Sequence, residues 1–289
     1  MSNAIALAKQ FVPILDEIYV NASLTAKLDG NPDLVKQGAN ANELIIPMLD
    51  MQGLGDYDRN SGYVNGDVTL THQTVQCNFD RGRMFQVDSM DDQESANIAF
   101  GRLAGEFIRT KVAPELDAFR FASYAGKEGI SKVAAGATLA TGADVIAALR
   151  AATTKMDEDE VPFEDRHLFI TPTLDGLIAD MDTTKSKDVL SRFASKTLVP
   201  QTRFYTAINQ RTGKDGEAAG GYVKAEGGAD INFLVVHKAA LIQFPKHIAP
   251  KIISPEMNQS ADAHKFGYRQ VGIADVYKNK VAGIYLHHK

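Results

Sequence analysis

One segment of the sequence, residues 88–126, predicts a single helix long enough to constrain the whole fold. Asp91 and Glu94 have the spacing of a capping box near its start, and Gly126 favours a stop at its end. Pro114 lies inside the pattern, and because apolar residues continue past it we expect a kink there instead of an end. The apolar residues at helical spacing are Phe100, Leu103, Phe107, Ile108, Val112, Leu116 and Phe119.

The length of this helix indicates a molecule that is not spherical. At 1.5 Å per residue, about 35 residues span roughly 52 Å. A compact globule made of a chain this long has a diameter of about 50 Å. The helix is therefore as long as such a globule is wide, which favours a flattened plate built on a spine. The alternative for this segment is an ordinary long helix of a bundle or coiled coil, although its apolar stripe drifts from a strict heptad.

The composition excludes several classes of protein. With 44% apolar and 23% charged residues the chain is typical of soluble proteins, and no apolar run is long enough to cross a membrane. Its first residues lack the basic segment of a secretory signal. A single cysteine, Cys77, excludes an internal disulfide and fits a reducing cytoplasm. The net charge of −5 argues against tight nucleic-acid binding but allows a protein that encloses nucleic acid.

The segment before the first strand, residues 1–43, is interpreted as an N-terminal arm. Within it, Ile5–Tyr19 forms an amphipathic pattern with Pro13 at its middle. This helix packs either on its own domain or on a neighbouring subunit, and the sequence leaves both open.

Residues 44–87 predict an extended hairpin. Pro47 suits a strand at the edge of a sheet, and the Gly-, Asn- and Asp-rich stretch that follows is typical of loops. A two-stranded ribbon is marginal in water by itself, so it needs either its own core or an adjacent copy of the chain. The predicted parts are strands at Glu43–Met48, 67–80 and Arg83–Val87, with a turn at Arg81 and Gly82.

Residues 141–230 predict a small α/β unit inserted before the last strands. Thr141 opens a helix that continues to about Met156, and Pro172 is placed to begin another. Between them His167–Thr171 has the composition of a short buried strand. Strands then return at Asn232–Phe244, 266–273 and Val281–Leu286, the last two joined as a hairpin by a turn at 278–280.

The sequence carries no motif that points to a reaction. It lacks a phosphate-binding loop, a nucleophile elbow and paired cysteines for zinc. His167, His237 and Cys77 are expected to be ordinary strand residues, and the acidic run 157–160 a solvated loop. We therefore predict no enzyme, no catalytic residue, no cofactor and no metal. The one candidate cation site, which helix capping explains more simply, comprises Asp88, Asp91, Asp92 and Glu94.

The order of these elements resembles the major capsid protein of tailed bacteriophages, in the fold first described for the Hong Kong phage. Four phrases are similar to that family: Asp80–Arg83 with Phe85–Asp88, Pro114–Asp117, Phe169–Pro172 and Gly272–Tyr285. The resemblance implies an α+β fold with four parts. These are an N-terminal arm (1–43), an extended hairpin or E-loop (44–87), a peripheral domain with the spine helix (88–140 and 231–289) and an axial domain (141–230).

The resemblance also implies a structural role. Such a protein assembles with itself, as hexamers and pentamers, into an icosahedral or prolate shell that encloses double-stranded DNA without reading its sequence. The implied location is the virion, assembled in the host cytoplasm, with a portal protein and a possible decoration protein as partners and no membrane. Since about 42 residues precede the first strand, we expect a separate scaffolding protein or none, and no removable prodomain.

Two alternatives accompany this interpretation. The first is an encapsulin-like compartment shell, which has the same fold and holds a cargo enzyme. The second is an oligomeric α/β enzyme with its site around residues 141–182.

Overall fold

The computed structural model describes residues 23–30, 36–37, 43–94, 98–181 and 184–289. The predicted arm helix, Ile5–Tyr19, lies outside these residues. The chain divides into two compact units, one of Asn31–Asn78 and one formed by Met1–Gly30 together with Phe79–Lys289.

The strands, numbered in chain order, are β1 (Lys36–Gln37), β2 (Glu43–Met51), β3 (Val68–Gln76), β4 (Phe79–Asp88), β5 (Ser131–Lys132), β6 (Arg166–Ile170), β7 (Ser195–Leu198), β8 (Ile208–Gln210), β9 (Tyr222–Lys224), β10 (Ile231–His237), β11 (Leu241–Ile253), β12 (Ala263–Val276) and β13 (Ile284–His288). The α-helices are α1 (Ser89–Glu94), α2 (Ile98–Phe107), α3 (Ala113–Ala125), α4 (Gly142–Glu158), α5 (Pro172–Ala179) and α6 (Thr184–Leu190).

The smaller unit is a hairpin. Its sheet has the order β1-β2-β3, and β2 pairs antiparallel with β3 along its whole length, from Glu43 opposite Gln76 to Met51 opposite Val68. The short pairing of β2 with β1 ends at Ile45. Pro47 therefore lies where β2 has one neighbour among the described strands, which is the edge position expected of a proline without an N–H group.

The predicted strand over 83–87 does not belong to this hairpin, so that pairing was wrong. Strand β4 runs straight through Arg81 and Gly82 and pairs with β12. A Cβ atom at Gly82 would lie 2.8 Å from the Tyr268 carbonyl oxygen. Glycine is required at this position by a close contact between two strands, and it forms no turn.

The long helix is present as α1, α2, a π-helical turn (Ile108–Val112) and α3, with residues 95–97 not described. Its predicted end is confirmed, because α3 stops at Ala125 directly before Gly126. The predicted cap was wrong by a few residues. The helix begins at Ser89, where the Asp88 carboxylate accepts a hydrogen bond from the Met90 N–H at 2.9 Å, so Asp91 lies inside the helix.

The interior proline acts through the π turn that precedes it. Pro114 has no N–H, so the Thr110 carbonyl lacks its usual helical donor. The Ala113 N–H bonds to the Ile108 carbonyl five residues earlier, and the Thr110 hydroxyl donates to the Glu106 carbonyl at 2.6 Å. The helix thus continues past proline, as predicted, through one wider turn.

The helix packs on a three-stranded antiparallel sheet of order β11-β12-β4. This contact has an apolar core of Phe79, Ala104, Ile108, Leu116, Phe266 and Tyr268. The predicted single strand over 232–244 is divided here by a 3-10 turn, Lys238–Ala240, which separates β10 from β11. The two halves belong to different sheets because the turn redirects the chain between them.

The inserted α/β unit is built on a five-stranded sheet of order β5-β13-β10-β6-β7. The predicted helix start is confirmed, since the Thr141 hydroxyl accepts from the Asp144 N–H at 3.2 Å and the Asp144 carboxylate accepts from the Thr141 N–H at 3.0 Å. The predicted strand (β6) and the helix begun by Pro172 (α5) are confirmed as well. The C-terminal hairpin was wrong, because β13 pairs with β10 and β5 and not with β12.

The acidic run after α4 is not a solvated loop. Asp157 lies inside the helix, and its carboxylate accepts from Arg166 at 2.7 Å and from Arg192 at 2.5 Å. These two contacts attach the end of α4 to β6 and to the segment before β7, which a loop in water would not do.

Candidate interaction surface

The residues considered for chemistry are scattered. Asp88 caps the helix, and His167 contributes Nδ1 at 2.8 Å from Ser195 Oγ. Cys77 is half-buried and lies between β3 and β4 instead of within a strand. Within the part of the chain that the structure describes, no three His, Cys, Asp or Glu residues are grouped to hold a metal, and no helix is both long and apolar enough to cross a membrane.

The hairpin unit instead exposes an unusual number of large apolar side chains. Leu54 is fully exposed (107%) and Tyr63 nearly so (87%). Burying one such side chain contributes about 1.5–3 kcal/mol, and clustered exposed apolar residues mark an interaction site. The full set is Leu49, Met51, Leu54, Tyr57, Tyr63, Val64, Val68 and Leu70.

The loop that joins β2 to β3, residues 52–67, has a defined turn at its centre; we call this loop the tip. The N–H and carbonyl groups of Asp58 and Gly62 bond to each other, at 3.2 and 2.7 Å, and Gly62 has the positive φ (80°) that glycine tolerates. The Asp58 carboxylate accepts from the Asn60 N–H at 2.8 Å, and this bond lowers the pKa of that carboxyl. The rings of Tyr57 and Tyr63 lie 4.8 Å apart. The tip thus presents paired aromatic rings on a shaped turn.

The larger unit contains a groove of about 1070 Å³. It lies among β4, the end of α2 with the following π turn, and residues 202–224. Apolar walls are formed by Phe85, Phe107 and Val223 among others. Its charged lining residues are four cations (Arg81, Arg83, Lys111, Lys224) and two carboxylates (Glu106, Glu115).

Two arginines of β4 hold the wall of this groove in place. Arg81 donates to the Arg211 carbonyl at 2.8 Å, and Arg83 donates to the Ala218 carbonyl at 2.8 Å. The segment 211–221 that they hold contains four glycines with positive φ: Gly213, Gly216, Gly220 and Gly221. This stretch looks unstructured in the sequence, yet hydrogen bonds to β4 fix its course.

Sequence reasoning missed the groove because it assigned Arg81 and Gly82 to a turn. A signal was present. Arg81 and Arg83 are two residues apart, and side chains at that spacing lie on the same face of a strand. With β4 recognised as a strand, the pair would have indicated a cationic face.

Comparison with known proteins adds the family context. No family model matches the chain, and no curated protein matches it. Solved structures do match over most of its length. The asymmetric unit of the bacteriophage PhiM1 mature capsid matches with a TM-score of 0.60 and 13% identity, covering 87% of this chain and 83% of that one.

Two further matches have similar extent. A structure from Mycobacterium phage Che8 has a TM-score of 0.60 and 14% identity, over 92% of this chain and 90% of that one. A virus-like particle from Pyrococcus furiosus has a TM-score of 0.55 and 12% identity, over 94% and 95%. At such identities the likeness establishes the fold. Together with the long helix and its packed sheet, it shows that this chain has the Hong Kong phage-type fold of bacteriophage major capsid proteins.

Proposed function

We propose that the chain is a structural subunit, the major capsid protein of a tailed bacteriophage, which assembles with itself into a closed shell around double-stranded DNA. The observation that carries this proposal is the hairpin unit, whose apolar side chains are exposed on a fold otherwise used for shells. An isolated chain gains nothing from these exposed side chains, whereas a neighbour that covers them provides the missing burial.

We infer that the tip of one copy binds the groove of the next. The tip carries three carboxylates (Asp56, Asp58, Asp67) against one cation, Arg59, while the groove lining has an excess of cations. The apolar side chains of the tip match the apolar walls of the groove, so shape class and charge both agree. A contact between two different surfaces of the same chain is heterologous, and such contacts close into rings when the rotation permits.

The domain assignments of the resemblance belong to this proposal. Residues 44–87 form the E-loop, 88–140 with 231–289 the peripheral domain, 141–230 the axial domain and 1–43 the arm. Scaffolding, portal and decoration proteins are the expected partners. Hexamers and pentamers are the expected capsomers.

Negative-stain microscopy of the purified chain tests the proposal. We expect closed shells tens of nanometres wide, formed either by the chain alone or with a scaffolding protein. A compact monomer under every condition, scaffolding protein included, would overturn the proposal.

A charge exchange tests the tip-to-groove contact. Asp56→Arg on the tip and Lys111→Glu in the groove both change exposed side chains, so each variant should fold normally. We expect each single variant to reduce assembly at least tenfold and the double variant to recover most of it, since the attraction is restored with reversed signs. Additive losses without recovery would show that these two surfaces do not meet.

The compartment shell is the second candidate, and the likeness to the Pyrococcus furiosus virus-like particle favours keeping it. The contents of particles from the native source distinguish the two. Nuclease-protected genomic DNA supports the capsid, and a co-purifying enzyme in its place supports the compartment.

A further inference from the structure

A short segment near the N-terminus, Ser23–Gly30, contacts three separate parts of the larger unit. We call this segment the brace. It contacts the spine helix α3, strand β11 of the three-stranded sheet and strand β7 of the five-stranded sheet. Because β7 is the outermost strand in its sheet, the brace joins the edge of one sheet to the helix that packs on the other.

The end of the brace at the spine is anchored by a buried carboxylate. Asp117 is fully buried (0% exposed), and it accepts from the Thr25 hydroxyl at 2.7 Å, the Ser23 hydroxyl at 2.9 Å and the Leu24 N–H at 3.0 Å. The nearest cation is Arg203, at 3.4 Å. A buried carboxylate is tolerated only when such donors surround it, and removing them leaves it unsatisfied. The anchor is therefore costly to break.

The middle of the brace is held by the spine and β11 together. Arg120 of α3 donates to the Thr25 hydroxyl at 2.8 Å and to the Asp29 carboxylate at 3.1 Å. The Gln243 side chain of β11 donates to the same Asp29 carboxylate at 2.7 Å, and the Gln243 carbonyl accepts from the Gly30 N–H at 2.9 Å. This part of the brace is fixed against both elements.

The end of the brace at β7 is different in kind. Lys27 is exposed, and its Nζ donates to Ser195 Oγ at 2.5 Å and to Thr197 Oγ1, above the ring of Phe169. Among the residues that the structure describes, Lys27 forms no ion pair. Exposed hydrogen bonds to neutral hydroxyls exchange for water at little cost, so this end is readily released.

We propose that the brace is a one-sided link, permanent at Asp117 and releasable at Lys27, which sets the orientation of the five-stranded sheet relative to the spine helix. If the chain is the shell subunit proposed above, this link gives one sequence two geometries. A shell that contains both pentamers and hexamers needs the same subunit at different angles.

Hydrogen exchange on the unassembled subunit tests the link without relying on assembly. In Lys27→Met we expect the amides of residues 195–198 to exchange about tenfold faster, while the amides of Leu24 and Thr25, which donate to Asp117, keep their protection. Lys196→Met is the matched control, because Lys196 lies on the same strand but pairs with Asp175. Unchanged exchange at 195–198, or equal loss at both ends of the brace, would overturn the proposal.

A second variant tests the anchor. Thr25→Val preserves shape but removes the hydroxyl that joins Asp117 to Arg120, and we expect at least tenfold faster exchange across residues 24–30. Ser23→Ala removes one donor only and serves if Thr25→Val does not fold. Retained protection in the variant that folds would show that Asp117 is not the anchor.

Assembly provides the third measurement. Shells of Lys27→Met should have a broader distribution of diameters than those of Lys196→Met, and equal distributions would count against two geometries. If the wild-type chain forms no shells, the proposed function fails, while the exchange experiment still decides whether the link exists.

Discussion

Arg81 of β4 and Glu115 of the spine helix form an ion pair with Nε and Oε1 2.7 Å apart. Their side chains are 27% and 14% exposed, and the same guanidinium donates to the Arg211 and Gly221 carbonyls. One arginine thus connects the hairpin-proximal strand, the helix just after Pro114 and the wall of the groove.

Removing this arginine should therefore destabilise the subunit. For Arg81→Ala we expect a loss of about 1–3 kcal/mol in the free energy of unfolding, because a half-buried carboxylate and two carbonyls lose their donor. Arg109→Ala is the control, since the Arg109–Glu106 pair is more than half exposed on both sides, and its loss should be under about 0.5 kcal/mol. Denaturant titration measures both, and equal losses would contradict this account of the groove.

Two helical glycines should respond to alanine with opposite signs. A Cβ at Gly142, the first residue of α4, would lie 2.2 Å from the Leu177 carbonyl oxygen, whereas a Cβ at Gly176 in α5 would meet nothing within 4 Å. We expect Gly142→Ala to destabilise by about 1–3 kcal/mol through overpacking. Gly176→Ala should stabilise by about 0.5–1 kcal/mol through helix propensity. Melting temperatures that move in the same direction would show that the α4–α5 contact is looser than described.

Acid should weaken the five-stranded sheet. Burial lowers the pKa of His167, His237 and His287, and His287 is 4% exposed with Nδ1 3.0 Å from the Asn232 amide nitrogen. The unfolded chain therefore binds more protons than the folded one, so stability is complete above about pH 6.5 and falls as the pH drops through the lowered values. Urea unfolding between pH 8 and 5 measures the slope.

His287→Gln removes one of these titrations and should flatten the pH dependence. His72→Gln, a change in the hairpin unit at a histidine outside this sheet, should leave the slope unchanged. Stability that rises between pH 7 and 5 in the wild type would contradict the assignment.

The apolar side chains of the tip should matter for assembly and not for folding. Leu54→Ser with Tyr63→Ser removes exposed groups, so we expect a change in unfolding free energy within about 0.5 kcal/mol. Assembly, measured by light scattering, should fall at least tenfold. Asn60→Ser is the control, because it changes an exposed polar residue of the same turn. Unimpaired assembly of the double variant would remove the tip from the interface.

The elements that were predicted correctly carry local signals. The helix opened by Thr141 and the one begun by Pro172 depend on caps, whose hydrogen bonds join residues only a few positions apart. The continuation of the spine past Pro114 follows likewise from the spacing of its apolar residues. The failures concern partners. β4 and β13 were recognised as strands, but each was paired with the nearest strand along the chain instead of its true neighbour.

The sequence by itself determined the spine helix, the inserted α/β unit and the exposed hairpin, because periodicity, caps and turn residues act within a few positions. Only the tertiary structure decided which strands pair, that Arg81 and Arg83 line a groove, and that Asp117 holds Ser23–Thr25 from 92 residues away. The physical reason is that a strand offers the same backbone donors and acceptors to any partner. The choice among partners is made by close contacts and buried charges between residues far apart in the chain, such as Gly82 against Tyr268.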